Sequence, residues 1–554
     1  MPLSDVIRKY AIQNRLRYGR AKEKAVMGGV LSEIPEAKRD IERLMKETKK
    51  IVSEVNKIEI KKLRGYESKK RRVERTTGLK LPGRLEKVVM RFAPNPNGPA
   101  TLGSARGIVV NSELARKYKG KFILRFDDTD PRTKKPMLKA YEWYLEDCEW
   151  LGAEPDEVYY ASDRIPIYYE YAEKLIDLEK AYVCFCSRAD FKKLRDEGRG
   201  CPHRKQSKEE NLRFWRNMLN GEYEDGECVL RIKTDIKHRD PALRDWVAFR
   251  VIREEHPRVG KRFIVWPMLD FESAIEDHLL RITHIIRGKD LMDSERRQRF
   301  IYNYLGWKYP ITLHWGRISL KGFGRFSTSK LRELIEKKEY GGWDDPRLPT
   351  LLALRRRGIS PDAIRNLMIG LGINETDVSI SLENLFSENR KIMDSKANRY
   401  FFVENPVELL VKNAPEKRVK IPLHPSFPDR GYREIKLKVD RSGNMRLFIS
   451  EDDKKGLKTG QEIRLMNLFN IEIGKIDKGI EATYLKEKRL DVHKIHWVQD
   501  HLNAEVIMPE KTVKGFCEPS CGDLRVDEVI QFERFGFVRL DRKNKGLVFY
   551  FGHR

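Results

Sequence analysis

Over residues 41–58, apolar side chains recur at Ile41, Leu44, Ile51, Val55 and Ile58, a 3–4 spacing that only Thr48 interrupts. That period predicts an amphipathic helix within a helical N-terminal stretch, 1–86. Its single apolar stripe predicts docking on the body of the protein, with a helical arm for a partner as the alternative. From residue 88 the pattern changes to a strand over 88–92, a turn rich in Pro, Gly and Asn, a helix over 108–118 and a second strand over 122–126. This is a βαβ opening and predicts an α/β fold. Residues 187–260 are polar, as an insertion would be, and strand-like apolar segments resume over 263–265. Helices return over 343–373, and beyond about residue 395 short alternating segments such as Glu434-Ile-Lys-Leu-Lys-Val and Val529-Ile-Gln-Phe lie between turn residues. That alternation predicts β-barrels.

At 554 residues the chain is long enough for several domains, each with its own core. Lysine and arginine outnumber aspartate and glutamate 111 to 84, a formal charge of +27 that asks for a polyanionic partner, nucleic acid first. An acidic membrane surface is the competitor. No apolar run approaches the ~18 residues of a span, and the opening residues do not read as a signal peptide, so a cytoplasmic protein without a membrane partner is expected. Lys69-Lys70-Arg71-Arg72 is a short basic run, more often a solvated face than an RNA contact. The seven cysteines are unevenly clustered, which suggests reduced thiols or metal ligands rather than a disulfide framework.

Arg91-Phe-Ala-Pro-Asn-Pro-Asn-Gly-Pro-Ala-Thr-Leu-Gly-Ser-Ala-Arg106 sits between the first strand and the first helix of the βαβ unit. A turn there offers backbone N–H groups and the positive end of a helix to phosphate. The segment resembles the first signature of class I aminoacyl-tRNA synthetases, with Thr101-Leu102-Gly103-Ser104 where the general pattern has His-x-Gly-His. Ser327-Thr328-Ser329-Lys330-Leu331, downstream of Gly322-Phe-Gly, is similar to the second signature but keeps only its central Ser-Lys. Gly341-Gly-Trp-Asp-Asp-Pro-Arg-Leu-Pro-Thr350, running on to Leu354-Arg-Arg-Arg-Gly358, is the most specific match and belongs to the glutamyl/glutaminyl subgroup. Leu124-Arg-Phe-Asp-Asp-Thr-Asp-Pro131, Asp240-Pro-Ala-Leu-Arg-Asp245, Asp270-Phe271, Pro422-Leu-His-Pro425 and Phe532-Glu-Arg-Phe-Gly-Phe537 add to it. Because the β-rich carboxy-terminal part matches too, the resemblance is to the archaeal and eukaryotic glutamyl branch.

That resemblance implies a Rossmann-like parallel-sheet catalytic domain in two halves (87–186 and 261–340), an acceptor-end-binding insertion (187–260), a helical connector (341–395) and C-terminal β-barrels for the anticodon (396–554). It implies ATP-dependent attachment of L-glutamate to tRNA(Glu) through a glutamyl-adenylate, with transfer to the 2′-hydroxyl of the terminal adenosine, magnesium accompanying ATP, and a monomer. Charging of tRNA(Gln) as well is left open. Thr101, Gly103, Ser104, Ser329 and Lys330 match the ATP-binding and catalytic positions, and Lys330 is the leading catalytic residue. Asp127 matches the site of the substrate ammonium, where a carboxylate supplies the opposite charge. Arg91 and Arg287 match two arginines aimed at the substrate's side-chain carboxylate, a task suited to a guanidinium fork. Asn95 and Ser273 complete the implied glutamate pocket, in which Leu269 replaces the family's tyrosine. Glutaminyl enzymes lack the arginine at the position of Arg287, so Ile285-Ile-Arg-Gly288 is the chief ground for glutamate. A glutaminyl enzyme and a noncatalytic tRNA-binding relative with decayed ATP signatures remain the alternatives.

Cys184-x-Cys186 and Cys201-x-His203, with fourteen residues between them, offer three sulfurs and one imidazole, a set suited to tetrahedral structural zinc. Cys517 and Cys521 are expected to be free thiols. Phosphate contacts would make RNA binding strongly salt-dependent.

Overall fold

The computed structural model describes residues 3–18, 20–33, 37, 40–58, 79–83, 85–321 and 328–554. The chain forms two compact units, 1–78 and 79–554. The basic run at 69–72, the segment Gly322-Phe-Gly and Ser327 lie outside the described residues, as does the side chain of Ser329.

The first unit contains α1 (Leu3–Tyr18), α2 (Glu23–Glu33) and α3 (Ile41–Lys57). Asp40 caps α3 by accepting from the Arg43 N–H. The buried stripe of α3 is Leu44, Thr48, Ile51, Val52 and Val55, packed with Val6, Ile7 and Ala11 of α1 and with Val26 and Val30 of α2. Two expectations therefore change. Ile41 is exposed while Thr48 is fully buried, so the stripe starts one turn later and runs unbroken through the threonine. The stripe also finds its partner inside its own three-helix cluster.

In the second unit, β1 (Val89–Phe92), β2 (Lys121–Phe126) and β3 (Glu157–Tyr160) form a parallel sheet in the order β1-β2-β3. α4 (Leu102–Lys117) crosses between β1 and β2, and α5 (Leu138–Trp150) follows β2. The first of these starts at 102 rather than 108 because Thr101 caps it. An antiparallel sheet then runs β4 (Ala181–Cys184), β5 (Val229–Ile232), β6 (Val247–Val251), β7 (Val265–Pro267), taking in strands on both sides of the polar 187–260 stretch. α6 (Leu269–Leu279) leads into β8 (His284–Gly288), which pairs in parallel with β9 (Ile311–Trp315). α7 (Met292–Leu305) links them. Thr283 donates its N–H to the Val89 carbonyl at 3.1 Å, so the β8 segment enters beside β1 and the parallel strands converge there. α8 (Thr328–Glu336), α9 (Leu351–Arg356), α10 (Pro361–Leu371) and α11 (Leu382–Met393) follow.

The carboxy-terminal part builds β-sheets of six and seven strands, over separate apolar cores centred on Trp497 and Phe549, and a two-stranded ribbon, Lys417–Pro422 with Tyr432–Leu437. Arg356 binds Asp541 through Nε and Nη2 at 3.1 Å, and buried Arg357 donates to the Phe551 and Gly552 carbonyls. Arg356 and Arg357 thus tie the last two strands, Gly536–Lys543 and Leu547–His553, to the end of α9, while Arg355 turns to Asp147. Among the described residues no helix is long and apolar enough to cross a membrane.

Candidate active site and metal centre

β1 and β2 end side by side, which places Arg91 next to the segment carrying Arg125, Asp127 and Asp128. Arg91 is buried and donates Nε and Nη2 to the two oxygens of Asp277 on α6, at 3.1 and 3.2 Å. Arg125, with no exposed surface, donates Nη1 to Asp277 at 2.8 Å, Nε and Nη2 to Asp127 at 2.7 and 3.3 Å, and Nη2 also to the Ser273 hydroxyl at 2.9 Å. Burial alone would raise the Asp277 carboxyl, but Arg91 and Arg125 hold it down at about 2. Asn95 donates Nδ2 to the Asp127 carbonyl at 2.9 Å, and its own Oδ1 is buried without a partner among the described residues.

Arg287, at the end of β8, is 5% exposed. Its Nη1 donates to Gln298 Oε1 on α7 at 3.1 Å, and Nη2 lies 3.8 Å from Asp277, beyond hydrogen-bond range. Nε and Nη2 have no acceptor among the described residues, and burial lowers the guanidinium's affinity for its proton. A buried donor edge without an acceptor is costly and suits a site whose acceptor arrives with a ligand. Glu272, on the same helix as Asp277, is fully buried with neither oxygen hydrogen-bonded among the described residues and Oε1 3.7 Å from Arg125 Nε; burial together with the neighbouring Asp127 raises its carboxyl well above the usual range.

The turn before α4 is held to the 341–350 block by backbone contacts. Thr101 accepts from the Ser104 N–H at 3.4 Å, leaving the start of α4 lined by two hydroxyls. Leu102 N–H binds the Pro349 carbonyl and Leu351 N–H the Ala100 carbonyl, pinning this turn to the 341–350 block. α8 approaches from the other side. Arg332 donates to the Asn97 carbonyl at 2.7 Å, and a Cβ at Gly98 would fall 2.3 Å from Thr328 Cγ2, so glycine is needed for this close approach. Lys330 lies half-exposed one turn before Glu333, donating to its carboxylate at 3.0 Å.

At the edge of the antiparallel sheet, one donor atom each from Cys184, Cys186, Cys201 and His203 gathers within 4.8 Å. The two thiols of Cys184 and Cys201 are 3.9 Å apart, and Cys186 Sγ is 3.4 Å from His203 Nδ1. A tetrahedron with Zn–S bonds near 2.3 Å has an S···S edge of about 3.8 Å, so the donor set fits zinc. The hydrogen bond between the two thiols lowers Cys184 and raises Cys201, so the pair shares one proton, which a metal would displace. Asp245 backs the knuckle by accepting from Arg204 and Tyr182, both at 2.8 Å.

The profile of tRNA synthetases class I (E and Q), catalytic domain, matches residues 87–395, and two profiles for the anticodon-binding domain of the same synthetases match 397–488 and 494–541. The chain belongs to the class I tRNA synthetases of the E and Q group. It is 52% identical over 565 residues, covering all of both chains, to a protein of Archaeoglobus fulgidus named glutamate–tRNA ligase. It is also 52% identical to a protein of the same name from Methanosarcina barkeri, covering 99% of this chain and 98% of the relative. The solved glutamate-tRNA synthetase of Elizabethkingia anophelis aligns with a TM-score of 0.42 at 22% identity, over 56% of this chain and 72% of that one.

In this member of the synthetase family, Arg91, Asn95, Asp127, Ser273 and Arg287 fall in one buried neighbourhood, while Thr101, Gly103, Ser104 and the start of α8 frame a second. The sequence did not point to the groups that join the first set: Arg125, Asp277 and Gln298. A faint signal existed for Asp277, four residues after Ser273 and hence on the same face of a helix. Cys517 and Cys521 are buried free thiols.

Proposed function

We propose that this chain is a glutamate–tRNA ligase, activating L-glutamate with ATP as glutamyl-adenylate and passing it to the 2′-hydroxyl of the terminal adenosine of tRNA(Glu). The observation that carries the glutamate assignment is the acceptorless, buried edge of Arg287 beside Arg91. An amide oxygen could fill one hydrogen-bonding position, but only a carboxylate also matches the charge. The near full-length similarity to proteins named glutamate–tRNA ligase supports the same reaction.

In this reading Asp127, held by Arg125, receives the substrate ammonium, and Asn95 and Ser273 close the pocket. The substrate α-carboxylate attacks the α-phosphorus of ATP and pyrophosphate leaves. Phosphoryl and nucleotidyl transfers are governed by alignment and charge neutralisation, so no side-chain nucleophile is required. Thr101, Gly103 and Ser104 present the start of α4 to phosphate, and Ser329 belongs with them by its place in the second signature. Lys330 exchanges Glu333 for the phosphates as negative charge develops on them. Magnesium, which favours phosphate oxygens and retained water, neutralises charge on ATP when bound.

Cys184, Cys186, Cys201 and His203 hold structural zinc, which stiffens the 187–260 insertion against the acceptor end of the tRNA, while the carboxy-terminal sheets take the anticodon. On the same resemblance we propose a monomeric, cytoplasmic enzyme. The test is aminoacylation of total tRNA with labelled glutamate and, separately, glutamine, in the presence of ATP and magnesium. Glutamate transfer is expected. Glutamine transfer alone would overturn the assignment, and transfer of neither would indicate a tRNA-binding relative without catalysis.

A further inference from the structure

Beneath the pocket three guanidinium groups face two carboxylates: Arg91, Arg125 and Arg287 against Asp127 and Asp277. Three other carboxyls of α6 do not enter this balance, and the first of them, Asp270, pairs with Arg297 at 2.7 Å. Glu276 turns away to Arg164 and Tyr168, at 2.7 and 2.9 Å. Glu272 has no exposed surface and no hydrogen bond among the described residues; its Oε1 lies 3.7 Å from Arg125 Nε, but Arg125 is already hydrogen-bonded to Asp127, Asp277 and Ser273, and burial beside the Asp127 carboxylate favours the protonated form of Glu272. One positive charge is therefore left over. Glutamate, with one ammonium and two carboxylates, carries one negative charge, and glutamine carries none.

The two arginines that face the substrate are held differently. Asp277 grips Arg91 by two hydrogen bonds and neutralises it. Arg287 is held by Gln298, an uncharged acceptor. Arginine can only donate, so the amide oxygen must be the atom that faces it, and the Tyr309 hydroxyl donates to that same oxygen at 2.6 Å. Gln298 is itself buried at 1% exposure, so water does not do this work in its place.

Resting on the glutamate reading, we infer that Asp277 and Gln298 are positioning residues that set the amino-acid specificity: Asp277 fixes and neutralises Arg91, while Gln298 orients Arg287 without neutralising it. The pocket thereby keeps the single positive charge that an anionic side chain requires. A carboxylate at 298 would hold Arg287 equally well but would cancel that charge. A site built for a charged partner discriminates against the neutral isostere because its buried charge is left unpaired.

The decisive variant is Gln298→Glu, assayed by aminoacylation with glutamate, glutamine and ATP varied in turn. We expect the KM for glutamate to rise roughly 30-fold or more, and the preference in kcat/KM for glutamate over glutamine to fall by a similar factor. The KM for ATP should stay within about twofold, since the ATP signatures lie on other elements. A purely structural role for Gln298 predicts the opposite, because the new ion pair satisfies Arg287 and leaves every KM unmoved. Gln298→Met is the second variant. It removes the acceptor but keeps the charge, so glutamate binding should weaken by less than about tenfold with the preference over glutamine held within about threefold. A glutamate KM within about twofold of wild type in Gln298→Glu, or a preference that falls in Gln298→Met, overturns the inference. Wild-type enzyme that transfers no glutamate overturns the underlying assignment and this inference with it, whereas an active wild type beside an unaffected Gln298→Glu overturns this inference alone.

Discussion

Replacing Arg287 by methionine sets activity against stability, because the two roles open to a buried arginine predict opposite signs. The side chain is 5% exposed, with Nε and Nη2 unpartnered among the described residues, and only Nη1 is satisfied, by Gln298. Each buried donor left without an acceptor costs ~1–3 kcal/mol, while the one charged hydrogen bond returns ~1.5–3 kcal/mol. Asp277, 3.8 Å away, keeps Arg91 and Arg125 when Arg287 is lost. Methionine fills a similar length of apolar space, so the free protein should range from unchanged to about 3 kcal/mol more stable. Catalysis should suffer. Loss of a buried, charge-assisted contact to the substrate carboxylate costs ~2–5 kcal/mol, or about 30- to 5,000-fold in kcat/KM for glutamate. Urea unfolding followed by tryptophan fluorescence, run beside glutamylation kinetics, reads both. A variant destabilised by about 3 kcal/mol or more would mean that Arg287 is one half of a structural ion pair, and the reasoning from its unpartnered edge would be refuted.

Lys330→Ala should slow glutamate activation by ATP by about 100-fold or more, far more than it weakens tRNA binding; an unchanged activation rate would remove its assigned role. Elemental analysis of protein purified without chelators should give about one zinc per chain, and Cys201→Ser should bring this close to zero and lower the unfolding midpoint; zinc-free wild type would count against the four-ligand centre. His553 is buried, stacks on Phe386 and meets Asn389 Nδ2 at 2.9 Å, and burial lowers it to about 4. Its folded pKa lies below the unfolded value of about 6.5. Above that value both states are neutral and nothing is lost; as pH falls from about 6.5 to about 4 the unfolded chain alone takes the proton, removing up to ~3 kcal/mol. His553→Gln should flatten the fall in unfolding midpoint between pH 7 and 4.5, and an unchanged slope would exclude His553 as its source.

What could be read from the sequence follows the distance over which each signal acts. The turn between β1 and α4 is written locally in proline, glycine and asparagine, and even its one misplaced boundary, 108 for 102, came from weighing apolar period above the Thr101 cap. The Cys-x-Cys and Cys-x-His pairs are local too. Their neighbourhood is not, because β4 pairs with β5 across more than forty residues of chain. Thr48 was misread because a lone hydroxyl in an apolar stripe looks like an interruption, whereas the packing of three helices buries it.

The proposed glutamate pocket is the extreme case. Arg91, Asp127 and Arg287 were each visible by motif, but nothing in their spacing says which of them is neutralised and which keeps a free edge. That is decided by Asp277 and Gln298, which lie on helices where an acid or an amide ordinarily faces water. Asp270 to Asp277 are all buried, so on this helix every acid must be paired, shared or protonated: Asp277 is shared between arginines, Glu276 is paired with Arg164, and Glu272, 3.7 Å from Arg125 and without a hydrogen bond among the described residues, is pushed by burial towards its protonated form. Charge balance is a property of the whole cluster. A change at residue 298, which need not touch substrate, can therefore alter which amino acid the pocket accepts while leaving every recognised motif intact.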